Sequence, residues 1–217
     1  MARSDYRGAR GDSIARVRVF GARALVTGAS GGIGAQIARE LDARGAHVVI
    51  SARREDALRE LAEELGGKPQ VAPADLAEPG AAAELAQRAG DIDLLVANAA
   101  LPSSGHLMSF SPEEIERSVT VNLTAPLQLA RALVPGMRER DKGHLVFIGS
   151  LNGRVATAGS SVYSATKFGL RGLAWALRED LHDTEVGVSL VSPSFVSEAG
   201  MFAETGVKLP PGVSMVT

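Results

Sequence analysis

The chain has 217 residues, 45% of them apolar, a formal charge of −2 and no cysteine. That length and apolar share suffice for one α/β domain with a sizeable core. Near-neutral charge gives no global attraction to nucleic acid or an anionic membrane, and the lack of cysteine removes disulfide frameworks, thiolate metal sites and thiol nucleophiles. No apolar run nears the roughly 20 residues that span a bilayer, so the expected setting is the cytoplasm.

Residues 1–20 carry Arg3, Arg7, Arg10, Arg16 and Arg18 among small and acidic residues, without the apolar core of a signal peptide. They read as a solvated, disordered arm, with a docking arm for a partner as the alternative. Residues 21–217 read as one domain. Short apolar segments at Arg23–Thr27, His47–Ser51, Gln70–Pro73, Leu94–Ala97, His144–Gly149 and Gly187–Val191 predict strands. Between them lie helical patterns near 33–44, 54–65, 79–89, 112–138 and 161–182. Pro79 and Pro112 are placed to open helices, and Ser111-Pro112-Glu113-Glu114 has the form of a capped start. Alternation of this kind predicts a doubly wound α/β fold, a parallel sheet with both faces covered.

The first strand runs into Thr27-Gly28-Ala29-Ser30-Gly31-Gly32-Ile33-Gly34 and then into a helix. Glycines there permit a tight turn and close approach of backbone to a pyrophosphate, and the helix N-terminus offers N–H groups and a positive dipole end. The alternative is plain strand-to-helix punctuation.

Near the other end, Tyr163 and Lys167 stand four residues apart on the pattern 161–182, so they share a helix face. A free phenol has a pKa of about 10, and a neighbouring ammonium favours the phenolate, so the pair is expected to bring the tyrosine toward the working pH. Ser150, at the end of a strand thirteen residues earlier, can hold a carbonyl oxygen. Leu170, Leu173, Leu177 and Leu181 form a packing stripe on the same helix, and Gly169 and Gly172 predict close approach by another element, of this chain or of a second subunit. His47, His106, His144 and His182 show no ligand spacing, so no metal site is expected. Ser150 is the second residue of Gly149-Ser150-Leu151-Asn152-Gly153, one position off a hydrolase elbow.

Together these elements resemble the short-chain dehydrogenase/reductase family over about residues 21–201. The family's Thr-Gly-x-x-x-Gly-x-Gly motif matches at Thr27, Gly28, Gly32 and Gly34, and Ser30 and Ile33 lie within the same turn. The resemblance implies hydride transfer between a nicotinamide and a carbonyl or carbinol carbon of a small molecule. It implies a catalytic set of Asn122, Ser150, Tyr163 and Lys167. Tyr163 would be the acid in reduction and the base in oxidation, Ser150 would polarise the carbonyl, Lys167 would also hold the nicotinamide ribose, and Asn122 would support a water linked to Lys167. Asn122 could instead break a long helix for packing, and Asn152 reads equally as a pocket residue or a turn residue.

In this architecture the end of the second strand selects the cofactor. No carboxylate stands there; Ser51, Arg53 and Arg54 do, which favours NADP over NAD through pairing with a 2′-phosphate. Asp75, with Leu76, matches the family's adenine-contacting position, or Asp75 caps a turn. Asn98 matches a ribose-side Asn, although the surrounding Ala97-Asn98-Ala99-Ala100 replaces two residues of the family segment. Pro193 and Val196 follow the sixth strand as further cofactor contacts; Ser194 and Glu198 depart from the family there. A lid near 194–211, with Met201, Phe202, Val207 and Leu209, would cover the substrate.

The chain lacks the pattern of the family's seventh strand, so the sixth is expected to be an exposed sheet edge. A homodimer or homotetramer is expected, the dimer through the helices near 112–138 and 161–182. A dinucleotide-binding regulatory or scaffold protein of the same fold is the competing function.

Overall fold

The computed structural model describes residues 18–193. Its strands are apolar on both sides because both sides are covered: every residue of β4 (Leu94–Ala97) and the last four of β1 (Arg23–Thr27) are buried. With β2 (His47–Ser51), β3 (Gln70–Val71), β5 (Gly143–Ile148) and β6 (Val186–Val191) they form a parallel sheet in the order β3-β2-β1-β4-β5-β6. One face packs Leu25, Val49, Leu95 and Phe147 against α3 (Ala81–Ala89), α5 (Ala125–Glu139) and α6 (Ser161–Asp180). The other packs Val26, Ile50 and Val96 against α1 (Gly32–Ala43) and α2 (Glu55–Glu64). The strand order reverses direction at β1 and β4, which opens a crevice at their carboxyl ends. No helix of the described residues is long and apolar enough to cross a membrane.

Three expectations need correction. The third strand is two residues long rather than four, although its extended backbone still pairs with β2 through Ala72 N–H to Ile50 O and Ala74 N–H to Ala52 O. The pattern 112–138 is two helices, α4 (Pro112–Val119) and α5, joined by a π turn at Thr120–Thr124 in which Ala125 N–H reaches back to Thr120 O. Pro79 lies ahead of α3, whose N-cap is Gly80 in the left-handed region. Gly169 is closely approached within the chain, since a Cβ would lie 2.9 Å from Leu123, while one on Gly172 would meet nothing of the described chain within 4 Å. Pro112 and Ser111 behave as expected, with a complete capping box between Ser111 and Glu114.

β6 is the edge of the sheet among the described residues. The Arg178 side chain, from the last turn of α6, donates to Val188 O at 2.9 Å and occupies one outward carbonyl of that edge.

Candidate active site

The glycine turn is built for backbone, not side chains. Gly28 has φ +66°, and a Cβ there would lie 2.8 Å from Ala99 Cα. A Cβ on Gly34 would overlap the Gly28 carbonyl oxygen. Thr27 and Asn98 clamp the turn to the end of β4: Thr27 Oγ1 accepts from Asn98 N–H and Ala99 N–H, each at 3.1 Å, and Asn98 Nδ2 donates to Thr27 O and Gly28 O. Gly32 is exposed, and Ser30 and Ile33 are half-buried at the mouth of the turn. α1 starts there with no side-chain cap and no acidic residue in its first turn, so its first N–H groups are free for an anion. The cradle that a side chain would fill and the uncapped helix end fit a dinucleotide pyrophosphate.

At the ends of β2 and β3 the charges gather. Ser51 is buried and its carbonyl accepts from Ala29 N–H, which ties β2 to the turn. Arg53 and Arg54 are both exposed, and Arg54 donates to Ser30 O at 3.0 Å. Asp75 closes a turn through Ala77 N–H at 3.0 Å and pairs with Arg117 of α4 at 2.7 Å. Burial alone would raise the Asp75 pKa, but Ala77 N–H, Arg117 and Arg53 together hold it below the ordinary value. Leu76 is buried beside it.

The third group lies where β5 ends and α6 begins. Ser150 Oγ accepts from Asn152 N–H at 3.2 Å, which leaves its own proton free to donate. Tyr163 is half-buried in the first turn of α6, with the Ser150 side chain near its hydroxyl. Lys167 is 3% exposed; its Nζ donates to Ile148 O at 2.9 Å and lies 5.5 Å from the Tyr163 ring centre. Burial lowers the lysine pKa to about 8. Burial also raises the Tyr163 pKa, and the nearby Ser150 hydroxyl offsets only part of that rise. The sequence reading expected the opposite direction for the tyrosine. Desolvation of the phenolate outweighs its stabilising neighbours in this structure, and the lysine's own charge is weakened by the same burial.

Asn122 lies in the π turn and is 1% exposed. Its Oδ1 accepts from Leu101 N–H at 2.6 Å, and its Nδ2 donates to Leu101 O at 3.0 Å and to Thr166 Oγ1 at 3.4 Å. The side-chain amide therefore joins the segment after β4 to the residue before Lys167. Asn152 is half-buried, its amide donating to Thr157 Oγ1 at 3.3 Å.

Pro193 accepts from Leu151 N–H at 3.1 Å beside the Ser150 turn. Val196, Ser194, Glu198 and the lid near 194–211 lie outside the described residues, as does most of the N-terminal arm. Three participants escaped the sequence reading: Arg117, Thr166, and Gly153, where a Cβ would lie 2.8 Å from Lys167 O. Each acts across the fold, and no local pattern marks it. A groove of about 300 Å³ between α3 and α5, lined by Gln87, Leu133 and Arg140 among others, holds none of the residues above.

Comparison with known proteins accords with this geometry. The short chain dehydrogenase family model matches residues 22–208. The ketoacyl reductase HetN of Nostoc sp. is 38% identical over 197 residues, covering 88% of this chain and 69% of that protein. The chain spans 57% to 60% of the length of three mammalian dehydrogenase/reductases that it also matches. Among solved structures, a metagenomic short-chain oxidoreductase in complex with NADP superposes with a TM-score of 0.76 at 38% identity, covering 82% of this chain and 85% of that one. A family member from Burkholderia phymatum in complex with NAD has a TM-score of 0.80 at 27% identity, covering 83% and 68%.

Proposed function

Because the chain belongs to the short-chain dehydrogenase/reductase family, we propose that it is an NADP-dependent oxidoreductase interconverting a ketone or aldehyde with an alcohol. The observation that carries this reading is the buried Lys167 ammonium 5.5 Å from the Tyr163 ring, where β5 leads through Ser150 into α6. When bound, the nicotinamide cofactor supplies or accepts the hydride. Tyr163 gives its hydroxyl proton to the carbonyl oxygen during reduction and takes it back during oxidation. Ser150 donates to the same oxygen, its hydroxyl already oriented by Asn152 N–H. Lys167 is poised between charged and neutral near pH 8, so a modest change in its surroundings alters the charge next to the phenol. Asn122 holds the turn of α6 that carries Lys167 through its contacts to Leu101 and Thr166.

NADP is favoured because Arg53 and Arg54 stand where NAD selection needs a carboxylate, and the NADP-bound relative supports the same choice. Small-molecule carbonyls are the substrate class, and the ketoacyl reductase relative makes 3-ketoacyl thioesters a fitting part of the test. Leu127, Phe168 and Trp175 leave α5 and α6 with exposed apolar side chains, which supports assembly of a homodimer through these helices.

The test is NADPH and NADH consumption across ketones, aldehydes and 3-ketoacyl thioesters. Carbonyl-dependent consumption faster with NADPH is the expected result. Tight nucleotide binding with no turnover of any carbonyl or alcohol would favour a regulatory dinucleotide-binding protein instead.

A further inference from the structure

Ser160 stands at the N-cap of α6, where a serine hydroxyl ordinarily accepts from a free N–H of the first helical turn. Here the side chain makes no such bond. It is buried instead, and its Oγ lies 2.6 Å from Thr157 O, 2.9 Å from Thr157 Oγ1 and 2.9 Å from Ser164 Oγ. A carbonyl only accepts, so the Ser160 proton goes to Thr157 O. The two lone pairs of its oxygen then accept from the Thr157 and Ser164 hydroxyls. With its own proton committed, Thr157 Oγ1 is an acceptor toward Asn152 Nδ2, 3.3 Å away. Donation therefore runs from Asn152 to Thr157 to Ser160, and Ser164 donates into the same oxygen from within α6. The main-chain N–H of Asn152 donates to Ser150 Oγ at 3.2 Å.

These hydroxyls join the two elements of the catalytic half. Asn152 lies in the short turn Leu151–Gly153 that follows Ser150, while Ser160 and Ser164 flank Tyr163 in sequence at the start of α6. The far side of the same turn is held by packing: a Cβ on Gly153 would lie 2.8 Å from Lys167 O, and Arg171 Nη1 reaches Gly153 O at 3.4 Å. The side next to Ser150 is held by the hydroxyls. Two donors serve one carbonyl oxygen only if their separation is kept to within about 0.5 Å. We propose that Thr157 and Ser160 are positioning residues for the reaction, acting through Asn152 to hold the Ser150 hydroxyl in register with the Tyr163 phenol. This rests on the roles of Ser150 and Tyr163 proposed above, and neither Thr157 nor Ser160 needs to touch substrate or cofactor.

The experiment measures kcat, KM and NADPH affinity, using the carbonyl compound of the panel above that the parent reduces fastest. Proteins compared are the parent, Thr157→Val, Thr157→Ser, Ser160→Ala, Ser150→Ala and the double variant Ser150→Ala/Thr157→Val. Thr157 is exposed, so its variants are expected to fold even if Ser160→Ala does not. Valine keeps the side chain's shape and the backbone carbonyl that Ser160 uses, and removes only the relay oxygen. Thr157→Val is expected to lower kcat about three- to tenfold, the worth of one neutral hydrogen bond, with KM and NADPH affinity within about twofold of the parent. Thr157→Ser, which restores the oxygen, is expected to keep the parental kcat. In the Ser150→Ala background the valine is expected to change kcat by less than about twofold, since the hydroxyl it acts on is gone. A parental kcat in Thr157→Val, a Thr157→Ser protein as impaired as Thr157→Val, or full additivity in the double variant overturns the inference and leaves the proposed function standing. A parent that turns over no carbonyl or alcohol, or a Ser150→Ala protein with parental turnover, overturns the proposed function and this inference with it.

Discussion

The two halves of the crevice solve different problems with different materials. At the end of β1 the working groups are backbone: Gly28 and Gly34 lie so close to Ala99 and to each other that no Cβ fits, and α1 begins uncapped. At the end of β5 they are side chains: Tyr163, Lys167 and Ser150, partly or wholly withdrawn from water. A backbone cradle holds a charged, solvated ligand without burying any charge of its own. The catalytic half buries an ammonium, which costs stability but sets its proton affinity near neutrality. Under the proposed function, binding and chemistry are separable, and each can be damaged alone.

The largest expected effect on stability lies in the catalytic half. A lysine pKa lowered from 10.5 to about 8 corresponds to roughly 3 kcal/mol against folding with the ammonium charged. The folded value lies below the unfolded one, so the penalty is fully present below pH 8 and is relieved as pH rises from 8 to 10.5. Lys167→Met is therefore expected to be inactive yet more stable than the parent at pH 7, by up to about 3 kcal/mol less the loss of the Ile148 carbonyl's partner. Denaturant titrations should show the gap closing toward pH 10.5. A pH-independent gap would break the contrast between the halves.

Next in size is the cofactor swap. Ala52→Asp with Arg53→Ala puts a carboxylate at the end of β2 and removes a guanidinium. A charge-assisted bond is worth about 1.5–3 kcal/mol, so NADPH should weaken about ten- to hundredfold while NADH binds more tightly. Competitive nucleotide titration reads this directly; unchanged preference would remove the end of β2 from the binding half.

Gly34→Ala attacks the cradle itself. The added Cβ overlaps Gly28 O and lies 2.6 Å from Asn98 Nδ2, so the turn must shift, at a cost of about 1–3 kcal/mol. Nucleotide affinity should fall with it, and an unaffected affinity would show that the cradle is not the binding element. The smallest effect is expected at Ser111→Ala, which removes one arm of the capping box of α4 and about 0.5–2 kcal/mol of stability by thermal unfolding. Nucleotide affinity should hold, because Ser111 makes no contact with the glycine turn.

How legible each half was follows from the same division. The glycine turn, the Ser111 capping box and the Tyr163–Lys167 spacing are local, so they show in the sequence. The strands at Arg23–Thr27, His47–Ser51 and Leu94–Ala97 were readable to the residue because short apolar runs have few other uses. Asn122 was legible as a possible break in the long helix, but the π form of the turn was not, since the i→i+4 pattern of 112–138 continues through it and Asn122 bonds there to the distant Leu101 and Thr166. The Asp75–Arg117 pair spans 42 positions and leaves no local trace. The direction of the Tyr163 shift was misjudged because spacing reveals a neighbouring charge but not the depth of burial, and burial dominates.

The central claim is tested most directly by the Tyr163→Phe variant, with turnover and NADPH affinity measured on the same preparation. Removing only the hydroxyl leaves the ring's packing and the glycine cradle intact. Turnover of a carbonyl substrate is expected to fall on the order of 10²–10⁴-fold while NADPH affinity stays within about threefold of the parent. Parental turnover in that variant would contradict the account.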